Sequence, residues 1–340
     1  MGAIKVGVIG YGNAAKEFHL PFIQSIQDLE AYAVLQRSEA PQDPRTAPKG
    51  SHCTVDLPWI RHYRTATEFF ADKAIDLVVV VTHTETHAAF AIQALEAGKH
   101  VIVDKPFAVS ADEADQVIAA AEKAGKIVTY FQNRRWDGDF QTLLELKKKN
   151  PFGEITEAEI HYDFETPSWL KILPKKYTPG SGIAFALVLQ YGDPMTGKIV
   201  TVKTTTVTPM NKQLKYWIRG TKGSYIKFQQ RSTCPQEEHM NAGKSPDDPD
   251  FAKEPERFWG TLTTYDEFDS SIQKFDPETN KYTGQVPAIR GNFAKLYENL
   301  AQAIQGKEEL VIKLPAIRDC LRILELAKES HENRVTVEWR

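Results

Sequence analysis

The sequence predicts a two-part chain: an α/β half built of βαβ units, then a half of alternating strands. Three observations carry this. An apolar strand at the very start, Ile4, Val6, Val8 and Ile9, runs directly into a glycine-rich turn and a helix. Apolar, β-branched runs recur at 75–81 and 100–103, each followed by a helical pattern, as a parallel sheet covered on both faces requires. From residue 155 onward the strands alternate apolar and polar residues, the mark of a sheet with one wet face. A length of 340 residues agrees with two domains, at roughly 100–200 residues each.

Composition narrows the partners. A net charge of -3 and a pI near 6.3 exclude no partner but offer no general basic footprint, and an enzyme reading carries no nucleic-acid partner. Cys53, Cys234 and Cys320 show no Cys-x-x-Cys spacing and read as reduced thiols. No signal peptide precedes the first strand, and no apolar run reaches membrane-spanning length. The expectation is a soluble, cytoplasmic protein with no membrane partner.

The turn after the first strand reads Gly10-x-Gly12-x-x-Ala15. Gly10 permits the tight turn, Gly12 lets a pyrophosphate approach the backbone, and Ala15 lets the helix pack close to the strand. The backbone of Gly10, Gly12, Asn13, Ala14 and Ala15, at the positive end of a helix, is the expected cradle for a dinucleotide. An ordinary strand-to-helix turn is the competing reading. The helix covers Ala14 to Ile26, with Phe18, Phe22 and Ile26 on one face.

Leu29 to Leu35 is the second strand, and its end bears on cofactor choice. A chain that binds NAD places Asp or Glu there to accept from the ribose 2′-OH. Here the residues are Gln36, Arg37 and Ser38. Nothing acidic among them repels a 2′-phosphate, Arg37 can pair with it and Ser38 can donate to it. This favours NADP over NAD; a solvated surface arginine is the alternative. Residues 39–62 read as an irregular excursion, and Thr67 to Lys73 as a short helix.

Ile75 to Val81 is a buried central strand that ends in Thr82-His83-Thr84-Glu85-Thr86-His87. His83 and His87 are four apart, but the order is not His-Glu-x-x-His and no third ligand is in sight, so no metal is expected. A loop over the cofactor phosphates that includes Thr82, His83 and His87 is the expectation instead. A helix from Ala88 to Ala97 stops at Gly98, and the next strand delivers Asp104, Lys105 and Pro106 at its carboxyl end. Ligands gather at that end in open α/β sheets. Lys105 there can be partly desolvated, with a lowered pKa, or can donate to a substrate hydroxyl. Helix 111–124 and strand 127–131 complete a βαβ series of about 130 residues, expected to fold alone.

These motifs in this order resemble the Gfo/Idh/MocA oxidoreductases: Gly10-x-Gly12-x-x-Ala15, Thr82-x-Thr84-x-x-His87, Asp104-Lys105-Pro106 and Gln132-Asn133-Arg134-Arg135-Trp136-Asp137. The resemblance covers nearly the whole chain. It implies an NAD(P)-binding Rossmann domain over 1–130. It also implies an α+β domain over 131–340, with a mostly antiparallel open sheet used for substrate binding and dimer packing. It implies hydride transfer on sugars, polyols or related carbonyl compounds, and a homodimer. By the same resemblance, Lys105 matches the catalytic lysine of a Glu-Lys-Pro motif, with Asp104 in place of the glutamate. Arg134 and Trp136 match positions that line the cofactor and substrate cleft.

In the second half, 155–163, 198–207, 215–219 and 224–229 read as strands, and 232–258 as a long polar loop. Asn292 to Gln305 and Ala316 to Glu329 read as helices, and Arg334 to Trp339 as a strand closing a sheet. The pattern breaks after Gly180-Ser181-Gly182-Ile183-Ala184-Phe185. The family continues there as Asp-x-Gly-x-His-x-x-Asp and an apolar helix. This chain passes straight to Ala186 and reaches Gly192-Asp193-Pro194. The gap is about nine residues, roughly two and a half turns at ~100° per residue. Ile183 to Tyr191, apolar nearly all round, would make a shorter helix. Natural loss and a splice or gene-model artefact both fit a whole number of codons. The family's catalytic histidine has no counterpart; His161 and His239 are nearest in sequence, without a motif behind either. Two readings remain: an NADP-dependent oxidoreductase with impaired turnover, or a non-catalytic dinucleotide-binding regulator on the same fold.

Overall fold

Strand β1 (Ile4–Ile9) lies in the middle of a parallel sheet, with every residue but Lys5 buried. It pairs with β2 (Leu29–Leu35) on one side and β4 (Leu77–Val80) on the other. With β3 (Arg61–Tyr63), β5 (His100–Val103) and β6 (Val128–Tyr130), the order is β3-β2-β1-β4-β5-β6, every pair parallel. This computed structural model describes residues 2–165, 184–193, 196–206, 209–229, 234–246 and 248–339.

Helices connect these strands. A π-helical turn over Ala15–His19 leads into α1 (Leu20–Ser25); its extra residue shows in the bond from the Leu20 amide back to the Ala15 carbonyl. The excursion after β2 holds two elements that its Pro-rich and charged composition hides, α2 (Cys53–Asp56) and β3. Next come α3 (Ala66–Ala71), capped by the Thr65 hydroxyl, and α4 (His87–Glu96). Then follows α5 (Ala111–Ala124), capped by Ser110 and ended by left-handed Gly125.

The chain divides into two compact units, Met1–Asn133 with Phe293–Arg340, and Arg134–Asn292. The second begins with α6 (Gly138–Lys149) and β7 (Ile155–His161). Then come β8 (Ala184–Tyr191), β9 (Lys198–Thr205), β10 (Gln213–Gly220) and β11 (Gly223–Gln229). After α7 (Pro235–Asn241) follow β12 (Gly260–Thr264), β13 (Lys274–Asp276) and β14 (Lys281–Val286). The sheet order is β13-β14-β12-β11-β10-β7-β9-β8, antiparallel except for β7 with β9. Its core joins Leu146 of α6 to Phe152, Ile218, Tyr225, Leu262 and Val286. The chain then returns to the first unit as α8 (Ala294–Ile304) and α9 (Leu314–Asn333). The Ala111 amide donates to Glu325 of α9 at 2.8 Å, so the parallel sheet's unit is built from both ends of the chain.

Three local expectations are corrected. The apolar stretch after Ile183 is the edge strand β8, not a short helix; it pairs antiparallel with β9 from Tyr191↔Lys198 to Ala184↔Thr205. An apolar run has no period to decide between the two, and the adjacent partner strand decides. Gly180, Ser181, Gly182 and Ile183 lie outside the described residues. The polar stretch 232–258 contains α7 and buries Cys234, Gln236, Phe251 and Phe258. Residues 335–339 are not a strand: left-handed Arg334 ends α9, and Val335 and Trp339 are exposed.

Candidate functional site

The order of the parallel sheet fixes where a site can lie. Strand order reverses about β1, whose neighbours β2 and β4 follow it in sequence on opposite sides. The crevice beyond the carboxyl ends of such strands is where ligands bind. Gly10 follows β1, Gln36 to Ser38 follow β2, Thr82 follows β4, and Asp104 and Lys105 follow β5. The first unit therefore brings these predicted residues to one end of one sheet.

The two glycines differ as their roles require. Gly10 has φ +100°, and a Cβ there would meet the Val81 carbonyl oxygen at 2.2 Å. Gly12 has nothing within 4 Å of its Cβ position, so its backbone is open to a ligand. Gly12 and Asn13 are exposed, Ala14 is half-buried and Ala15 is buried against the sheet.

The turn after β2 is braced from below. The Gln36 side-chain oxygen accepts from the Cys53 amide at 3.0 Å, and its carbonyl lies 2.8 Å from His62 Nε2. Arg37 and Ser38 face outward and are exposed. The nearest acid, Glu39, is paired with Arg64 at 2.8 Å. Among the described residues the Arg37 guanidinium has no hydrogen-bond or ion-pair partner, a free planar donor beside a turn with no free acid.

The loop after β4 is tied to the loop after β5 through His87. This ring is buried, with Nδ1 2.7 Å from the Pro106 carbonyl oxygen and Nε2 3.1 Å from that of Thr82. The sequence assigned His87 to the cofactor; in the structure both its nitrogens face backbone carbonyls, and the ring joins the two loops. The Thr82 and Thr86 hydroxyls lie 2.7 Å apart, and His83 is exposed. Lys105 is exposed, and its ammonium meets no partner among the described residues, which leaves it free to donate. The Lys105–Pro106 peptide is cis.

Sequence reasoning missed His19. It is fully buried, with Nδ1 2.6 Å from the Tyr297 hydroxyl of α8 and Nε2 3.7 Å from Asp104 Oδ1. Its ring rests on Phe131 at a centroid distance of 4.1 Å. Burial alone would raise the Asp104 pKa, but the His19 ring, the Lys105 amide at 2.8 Å and the Lys105 charge hold it below the usual carboxylate range. Burial and the Asp104 charge keep Tyr297 protonated. The signal was present in the spacing: Ala15, His19, Phe22 and Ile26 form the buried stripe, one residue off the face assigned from Phe18.

Arg134 and Trp136 belong to the second unit. Arg134 donates to Asp137 at 3.1 Å, Glu237 at 2.7 Å and the Tyr162 hydroxyl at 3.0 Å. It was expected to line a cofactor cleft, yet its donors serve this internal cluster, whose burial pushes the Asp137 carboxyl and the Cys234 thiol up. The Trp136 carbonyl accepts from the Asn292 amide at 3.0 Å. His161 on β7 stands between Glu159 at 2.7 Å and Asp163 at 2.9 Å, partners that no motif foretold.

Comparisons with known proteins agree with this architecture. The family model described as "Oxidoreductase family, NAD-binding Rossmann fold", of the Gfo/Idh/MocA group, matches residues 4–132. The uncharacterized oxidoreductase YdgJ of Escherichia coli is 29% identical over 366 aligned positions, covering 98% of each chain. The scyllo-inositol 2-dehydrogenase (NADP(+)) IolW of Bacillus subtilis is 25% identical over 368, covering 98% of this chain and 95% of its own. The solved structure of YPO2259 from Yersinia pestis superposes with a TM-score of 0.79 at 26% identity, covering 99% and 97% of the two chains. No described helix is long and apolar enough to cross a membrane.

Proposed function

The chain belongs to the Gfo/Idh/MocA family of NAD(P)-dependent oxidoreductases, and on that premise we propose that it uses NADP(H) to oxidise or reduce a sugar, polyol or related carbonyl compound in the cytoplasm. The observation that carries the cofactor choice is the free Arg37 guanidinium beside a turn with no free acid. The open approach to Gly12 and the NADP(+) linkage in the name of the IolW relative support it. Gly10, Gly12, Asn13, Ala14 and Ala15 would hold the pyrophosphate, Gln36, Arg37 and Ser38 the 2′-phosphate, and Thr82 and His83 the nicotinamide-side phosphate. NADP(H), when bound, supplies the site that accepts or gives the hydride. Lys105 donates from its ammonium to the substrate oxygen and stabilises the charge that develops there.

The proposal includes a slow turnover. A positioned acid–base group contributes about 10²–10⁴-fold. The sequence around β8 lacks the family's histidine-bearing stretch, and a strand stands where the apolar helix was expected. Cofactor affinity should be ordinary for the family and turnover lower by about two to four decades. NADPH and NADH fluorescence titrations followed by a sugar and polyol panel test this. A family-like Asp-x-Gly-x-His-x-x-Asp stretch between Phe185 and Ala186 should then raise the rate without altering cofactor affinity. An ordinary rate from the unmodified chain overturns the slow-turnover reading. Cofactor binding without turnover in either version favours the regulator.

The active form is proposed to be a homodimer. Val188 on β8 and Ile199 on β9, which share one face of the sheet, expose apolar surface that a second copy of the sheet would cover.

A further inference from the structure

His19 Nε2 is a buried nitrogen without a hydrogen-bond partner among the described residues, 3.7 Å from Asp104 Oδ1. A buried polar atom left so is costly, and one aimed at a carboxylate beside a functional lysine calls for a reason. The tautomer is set from the other side of the ring. Tyr297 stays a phenol in its buried position, and its hydroxyl, 2.6 Å from His19 Nδ1, is placed to donate to it. The ring proton is then on Nε2, facing Asp104. Asp104 Oδ1 accepts the Lys105 amide at 2.8 Å, so the carboxylate is held by that hydrogen bond and by its 3.7 Å approach to the His19 ring. The Lys105 side chain follows directly in sequence and is exposed, with no partner for its ammonium.

We propose that His19 is a positioning residue: with Tyr297 behind it, it holds the Asp104 carboxylate inward and so keeps the neighbouring Lys105 ammonium unpaired and available to substrate. This rests on the reading of Lys105 as the residue that meets the substrate oxygen. Without His19 the carboxylate turns outward, and the acid nearest in sequence to Lys105 pairs with it. The π-helical turn over Ala15–His19 belongs to the device, since its extra residue sets where His19 enters the core.

The test uses the full chain, with carbon-13 at the aspartate carboxyls and carbon-13 methyl groups added to lysines by reductive methylation. Asp104→Asn and Lys105→Arg assign the two signals. His19→Phe keeps a ring against Phe131 but removes both nitrogens; His19→Gln keeps a donor near the Nε2 position. In the unmodified chain and in His19→Gln, Asp104 should titrate below the ordinary carboxylate range. In His19→Phe, the Lys105 methyl signals should shift, and Asp104→Asn in the same background should abolish that shift, as a new Asp104–Lys105 ion pair requires. NADPH affinity should stay within about twofold in both variants, as for a residue that does not touch the cofactor. A filling of space alone would leave the Lys105 signals unmoved in His19→Phe, and that result overturns the proposal. Should His19→Phe not fold, nitrogen-15 NMR of the His19 ring decides: a pure Nε2–H form that becomes mixed in Tyr297→Phe supports the proposal, and a bare Nε2 in the unmodified chain overturns it. These readouts need no turnover. A chain that binds no NADPH refutes the proposed function and leaves the His19 result standing.

Discussion

The Val81 carbonyl oxygen occupies the space that a side chain on Gly10 would need, 2.2 Å from the Cβ position. Gly10→Ala must push β1 and β4 apart where they pair, and it adds the strain of φ +100°, about 1–3 kcal/mol. Gly12→Ala meets nothing within 4 Å. Urea denaturation should show a clear loss for Gly10→Ala and a change within about 0.5 kcal/mol for Gly12→Ala. NADPH titration should show the second variant weakened all the same. Equal stability losses would contradict this division of roles.

Arg37→Asp should reverse the cofactor preference. A charge-assisted bond is worth about 1.5–3 kcal/mol, or roughly tenfold to a hundredfold in affinity. Dissociation constants for NADPH and NADH, measured at moderate salt, give the ratio in each protein. A ratio near one in the unmodified chain would remove the basis for the NADP assignment.

Acid should loosen the parallel sheet through His100. Burial, helped by the Lys126 charge, lowers this ring from 6.5 to about 4, and its Nδ1 accepts the Ile127 amide at 3.1 Å, which requires a bare nitrogen. The folded state therefore favours the neutral ring. Its contribution is full above pH 6.5 and is lost as pH falls toward 4, about 3 kcal/mol at most. His100→Asn keeps an acceptor and does not titrate. Urea midpoints at pH 7 and pH 4.5 should differ less in that variant, and identical pH slopes would refute the account.

Val188 on β8 is 63% exposed, the most open of its apolar neighbours. Val188→Lys should turn a dimer of the proposed kind into a 38.4 kDa monomer at micromolar concentration in light scattering. A monomeric unmodified chain would end the dimer proposal.

The first unit's strands were legible because their residues leave little choice. Ile4 to Ile9 and Leu77 to Val80 are apolar on both faces, which only a covered parallel sheet accommodates. Gly10, Gly12 and Arg37 could be placed because they sit next to such strands. β8 was misread because its run has no distinguishing period, and its strand character comes from β9 beside it. His87 and Arg134 look like ligand residues in a motif, but their partners, Pro106 and Glu237, lie 19 and 103 positions away. His19 meets Tyr297 across 278 positions, a distance no local pattern spans.

The return of residues 293–340 to the first unit has a consequence during synthesis. The first 133 residues leave the ribosome without α8 and α9, so the surface that these helices cover is open meanwhile. Residues 134–292 are made in between, which takes roughly 8–30 s at about 5–20 residues per second. Throughout that interval His19 waits for Tyr297 and Phe22 for Phe293, its ring partner at 6.0 Å in the finished protein. The nascent chain therefore carries an open apolar seam beside its cofactor-binding half, and chaperone capture should concentrate there until α8 emerges.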